Sequence, residues 1–85
     1  NQLQKSTSGS FSLIRDLSIG SQGDDVRWLQ DFLISQEVYP EAKITGHFGV
    51  LTKNAVIRFQ KKYEIFPQIG YVGPKTRVKI MELTN

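Results

Sequence analysis

Gly46-His47-Phe48-Gly49-Val50-Leu51-Thr52 returns 24 residues later as Gly70-Tyr71-Val72-Gly73-Pro74-Lys75-Thr76, and the register persists so that Val56 falls on Ile80 and Phe59 on Leu83. Glycines at the outer positions allow backbone angles or close approaches that a side chain would obstruct. The residue between them, Phe48 or Val72, is apolar and reads as a plug for the core. Pro74 suits a first helical position with Gly73 before it as cap, and by the repeat Gly49 caps a helix as well. A looser echo, Val26-Arg27-Trp28-Leu29-Gln30 against Val56-Ile57-Arg58-Phe59-Gln60, ties in one more helix. In both, the apolar residues at i and i+3 point inward and the glutamine falls on the edge of that face.

Three helices are therefore expected, at about residues 24–35, 50–63 and 74–83. The first follows the Gly20-Ser21-Gln22-Gly23 turn, opens with Asp24-Asp25 at the positive end of its dipole, and stops before Pro40. Phe11, Leu13, Ile14 and Leu17 are close enough together to dock onto the core, whereas residues 1–10 read as a flexible linker or tail. Strand signals are weak; at most the two Gly-x-apolar segments lie extended beside each other. The expectation is an all-α, small three-helix bundle with Gly-turn repeats, occupying residues 11–85.

Eighty-five residues make one domain. The chain opens on Asn1, which fits a module of a longer or processed protein. With no cysteine and a single histidine, His47, disulfides, thiolate metal sites and His-His metal pairs drop out. No apolar run exceeds three residues, so no segment reads as a membrane span. Up to Ala42 three cations face six carboxylates; from Lys43 onward eight cations face two. A basic half can meet phosphates or carboxylates, or can simply be solvated helix surface.

The motifs resemble a known family. Leu17-x-x-Gly20-Ser21-x-Gly23-x-Asp25-Val26-x-x-Leu29-Gln30-x-x-Leu33 is similar to the opening of the peptidoglycan-binding-like three-helix module. Tyr39, then Thr45-Gly46-x-Phe48-Gly49-x-x-Thr52-x-x-Ala55-Val56-x-x-Phe59-Gln60, resembles its central signature, and Gly70-x-Val72-Gly73-Pro74-x-Thr76 its closing turn. The resemblance implies a non-catalytic module that anchors exported cell-wall hydrolases, amidases or endolysins to peptidoglycan, at an extracellular, periplasmic or wall-associated location. A related module forms the propeptide of matrix metalloproteinases, whose inhibitory segment needs a cysteine that this chain lacks. Two departures stand out: Glu37-Val38 precedes the loop tyrosine where a glycine is common, and Lys79 takes the place of Ala55 in the repeat.

Candidate ligand-binding residues follow from position and chemistry. His47 and Tyr71 hold equivalent places and face solvent if Phe48 and Val72 face inward, so they can bracket a stem peptide or a sugar edge. Asn54 and Arg58 share a flank of the second helix, an amide for peptide or N-acetyl groups beside a bidentate partner for carboxylates. Tyr39 is either a lid on the bundle or an aromatic contact. Trp28 is either a sugar platform or, the favoured reading, packed under Phe11 or Ile14. Asp24-Asp25 reads as a dipole partner, not a metal or acid–base pair. Neither catalysis nor a cofactor nor a metal is expected, and the isolated domain is expected to be monomeric. The leading partner is peptidoglycan, as glycan strand or stem peptide. Nucleic acid binding through the basic half and a protein-interaction or prodomain role are the weaker alternatives.

Overall fold

The computed structural model describes residues 13–84. Within them lie α1 (Asp24–Ser35), α2 (Val50–Lys62) and α3 (Pro74–Thr84), and no strand is present among the described residues, so the fold is all-α. The ends differ from expectation by one residue: Tyr63 is the C-cap of α2, and α3 runs on to Thr84. The linker expected at residues 1–10, and Phe11, lie outside the described residues.

α1 begins at Gly23 without a side-chain cap from that residue; instead Val26 N–H donates to Asp25 Oδ1 at 2.9 Å, and both acids sit in the first turn. α1 and α2 finish alike. Beyond the C-caps Gln36 and Tyr63, Glu37 (φ 63°) and Glu64 (φ 55°) take left-handed backbone. The next amides reach back, Val38 N–H to Leu33 C=O at 3.2 Å and Ile65 N–H to Gln60 C=O at 2.8 Å, closing a Schellman turn at each end. Val38 and Ile65, the apolar residues that follow, are both buried.

Val26, Leu29 and Leu33 of α1 meet Ala55, Val56 and Phe59 of α2 in one core, into which Phe48 and Val72 are inserted with no exposed surface. Phe32 stacks on Trp28 (5.5 Å, 7°) and meets Phe59 edge-on (5.4 Å, 72°). Trp28 thus stacks along its own helix; Ile14 is 85% exposed, and Phe11, the other expected partner, lies outside the described residues. Leu13 and Leu17 do dock as expected. α3 contributes only Thr76 and Ile80 to the interior, and Leu83, the repeat partner of Phe59, is exposed. The repeat therefore holds through Ile80 and lapses where the last helix leaves the core.

The two Gly-x-apolar segments do not pair with each other. Each pairs with the stretch ahead of α1, through isolated antiparallel bridges Leu17↔Val72 and Gln22↔His47. Leu17 and Val72 exchange both backbone bonds (3.1 and 2.8 Å), while Gly20 N–H donates to Phe48 C=O and Phe48 N–H to Ser21 C=O, both at 2.9 Å. Residues 17–23 thereby run between the two loops and fix them side by side.

Candidate functional site

Gln30 and Gln60, expected at the margin of their helices, are buried completely. Each amide holds the loop that leads into the next helix. Gln30 Oε1 accepts from the Thr45 and Gly46 amides (2.8 and 3.0 Å), and its Nε2 donates to His47 C=O and Thr52 Oγ1, both at 3.0 Å. Gln60 repeats the pattern: Oε1 accepts from Gly70 N–H at 3.0 Å, and Nε2 donates to Tyr71 C=O (2.9 Å) and Thr76 Oγ1 (3.1 Å). A buried amide with all its bonds made fixes a loop strongly, because each bond lost leaves a polar atom dry. The glycines are required here. Gly70 has φ 84°, and a Cβ on it would fall 2.5 Å from Lys53 Cγ and 3.0 Å from the Lys53 carbonyl oxygen.

With its backbone held and Phe48 or Val72 turned inward, each loop presents the remaining residue outward. His47 and Tyr71 are both exposed, as alternation requires. None of the three pockets seen among the described residues is lined by both. His47 borders a pocket of about 180 Å³ together with Tyr39, Lys43, Thr45, Gly49, Val50, Leu51 and Thr52. Tyr71 borders one of about 370 Å³ with Phe66, Pro67, Gly73, Pro74, Lys75 and Thr76. The repeat relates these pockets residue by residue: Gly49, Val50, Leu51 and Thr52 answer to Gly73, Pro74, Lys75 and Thr76. A third pocket, about 230 Å³, is also lined by Tyr71, together with Ser18, Ile19, Lys53, Ile69 and Gly70.

The Tyr71 ring is held at its far end. Its hydroxyl donates to Asp16 Oδ2 at 2.8 Å, and Arg77 Nη2 lies 2.8 Å from Asp16 Oδ1. The latter contact is an ion pair off the hydrogen-bonding direction, since Asp16 Oδ1 and Arg77 Nε have no directed bond. The bond to Asp16 is the main cause that raises the Tyr71 phenol above its usual pKa; desolvation and the Asp16 charge add to it, and Arg77 opposes it.

The other sequence candidates are dispersed. Tyr39 is buried and its hydroxyl donates to Lys43 C=O at 2.8 Å, which fits the lid reading while leaving it a wall of the His47 pocket. Asn54 and Arg58 are exposed on α2 and line none of the three pockets; the Arg58 guanidinium donates to Val38 C=O at 3.1 Å. Ile57, expected to stand alone on the outer face, is half-buried beside Gly70. In the basic half, Lys62 donates to Gln36 C=O, Arg77 pairs with Asp16 and Lys79 with Glu82, while Lys62 and Lys79 both lie 5.5 Å from the Tyr63 ring centre. Asp24 and Asp25 pair with Arg27 and Arg15; the hydrogen bond from Arg15 is the largest cause holding the Asp25 carboxyl below its usual value. Among the described residues no group of three or more His, Cys, Asp or Glu is placed to share a metal ion.

Phe66 escaped the sequence reading. It is 62% exposed in the Tyr71 pocket, joined to Pro67 by a cis peptide bond. Its repeat position is Ala42, and an aromatic residue standing where the repeat has a small one was the available signal.

A family model described as "Putative peptidoglycan binding domain" matches residues 22–80, well over half of the chain. The chain belongs to this family. It is 40% identical over 81 residues to the zinc D-Ala-D-Ala carboxypeptidase of Streptomyces albus G, an alignment that takes in 91% of this chain and 30% of that protein. The chain thus spans less than a third of that relative's length. The crystal structure of the SleB N-terminal domain superposes with a TM-score of 0.78 at 31% identity, over 88% of this chain and 100% of that one. The family resemblance read from the motifs is borne out by the family model and the SleB structure, and the all-α three-helix fold by the latter. Across the aligned stretch lie both glycine loops and both buried glutamines. No described helix is long and apolar enough to cross a membrane.

Proposed function

We propose that this peptidoglycan-binding domain is a non-catalytic module that holds a linked exported enzyme against the bacterial cell wall. The observation that carries the reading is the exposed aromatic pocket of Tyr71 and Phe66, built on a loop whose backbone is fixed by Gln60, in a chain of this family. A small bundle with shallow pockets gives modest intrinsic affinity. Tethering supplies the benefit, because an enzyme kept near an insoluble polymer meets it at a high effective concentration. Tyr71 is the central contact; His47, at the equivalent pocket, and Asn54 with Arg58, on the α2 flank, are secondary ones. The domain acts as a monomer outside the cytoplasm, and the engagement of Lys62, Arg77 and Lys79 within the fold disfavours a phosphate-tracking surface.

Co-sedimentation with insoluble peptidoglycan across a salt series tests this. Pelleting should survive moderate salt, fall most for Tyr71→Ala, and fall less for His47→Ala or for Asn54→Ala with Arg58→Ala. A domain that stays in the supernatant at every salt concentration removes the reading.

A further inference from the structure

Within the wall-binding reading, on which this rests, we infer that the component seated on the Tyr71 face is the glycan strand, its sugar rings lying in the two pockets that Tyr71 lines. The two pockets share Tyr71 as a common wall, so together they form a run of two compartments, one among Phe66, Pro67 and Pro74 and one among Ile19 and Ile69. Two compartments in series suit a polymer of repeating rings better than a single compact ligand. Ile19, Phe66, Ile69 and Tyr71 are each 45% exposed or more, an apolar concentration that a small soluble domain otherwise hides. Flat aromatic and aliphatic surfaces match the C–H faces of pyranose rings. Tyr71 is already oriented, its hydroxyl on Asp16 and its ring close against Gly73, so little side-chain freedom is lost when a sugar settles on it.

The backbone argues against an extended peptide at this place. A peptide laid along a loop gains most of its affinity by pairing with free N–H and C=O groups. Here four of those groups are taken: Gly70 N–H donates to Gln60, Tyr71 C=O accepts from Gln60, and Val72 exchanges both its bonds with Leu17. Lys53 and Lys75, one in each compartment, are left for the carboxylates of stem peptides that branch from the strand.

The test compares three probes by titration calorimetry and amide chemical-shift mapping: glycan strands freed of stem peptides by an amidase, an N-acetylglucosamine oligomer, and free stem peptide. Stripped strands and the oligomer should bind and shift the amides around residues 66–75 and 18–20. Phe66→Ala and Tyr71→Ala, both at exposed positions, should each weaken that binding about five- to tenfold, with unchanged circular dichroism. Stripped strands that fail to bind overturn the glycan assignment, and so does their full binding to both aromatic variants. If intact wall still pellets the domain in those cases, the wall-binding reading stands without the glycan assignment; if intact wall does not, both fall.

Discussion

At the scale of single residues, the two buried glutamines set the loops and so set the site. Gln60→Ala leaves the Gly70 amide, the Tyr71 carbonyl and the Thr76 hydroxyl without their partner in a dry place, and opens a void besides. That substitution should cost about 2–4 kcal/mol, read from the midpoint of urea unfolding at unchanged slope, whereas the exposed change His47→Ala should shift the midpoint hardly at all. Tyr71 offers a second measurement. A tyrosine whose folded pKa is raised contributes stability below the unfolded value near 10, and that contribution is lost as pH rises through the folded value. In an ultraviolet titration the Tyr71 phenol should therefore ionise later than the ordinary phenol, and Asp16→Asn should bring it back. A late phase of the titration curve that Tyr71→Phe leaves unchanged would sink the assignment.

The helices show where sequence patterning suffices and where it stops. α1 was legible to the residue, because acids at the start, an apolar stripe and a proline beyond the end all point the same way. The glutamines were misplaced because a polar side chain on the edge of an apolar stripe ordinarily turns to water; only the arrival of a second loop over the helix, a long-range event, makes burial favourable. The pairing of the glycine loops was misjudged for a like reason. Their extended residues look like partners for each other, yet a third segment, residues 17–23, lies between them. Asn54 and Arg58 were placed correctly on one flank, but spacing along a helix cannot tell whether a pocket opens beside it. The helix ends yield a prediction. Glu37 and Glu64 sit in left-handed backbone at positions that favour glycine. Glu37→Gly and Glu64→Gly should each stabilise the domain by about 0.5–1 kcal/mol, seen as a rise in thermal midpoint; a fall in both would mean that the carboxylates matter more than the backbone.

For the molecule as a whole, the stretch ahead of α1 carries more than its length suggests. The family match begins at residue 22, yet Leu13 and Leu17 lie in the core and Leu17 bonds to Val72 in both directions. Loss of residues 1–21 should remove roughly 3–6 kcal/mol of apolar burial alone, a large share of what a domain of this size possesses. The shortened chain should then show a broad, low thermal transition by circular dichroism and lose binding through the Tyr71 loop first; a sharp transition near that of the full chain would show the segment to be dispensable. The fold as a three-helix module was legible throughout, since the repeat, the caps and the core spacing agree. Of the candidate site, Tyr71, His47 and Tyr39 were legible, the first two because their exposure follows from alternation beside a buried neighbour. Phe66 belongs to a loop with no periodicity, and only the folded chain shows which way it faces.

The glutamine amides hold backbone atoms and a buried hydroxyl, and none of their bonds reaches the side chain of His47 or Tyr71. Folding and recognition are thereby written on different atoms of the same residue. A position arranged in this way can trade one ring for another while the loop backbone keeps its bonds to the glutamine, so the preference of such a module is free to drift, or to be re-engineered, while its architecture stays fixed.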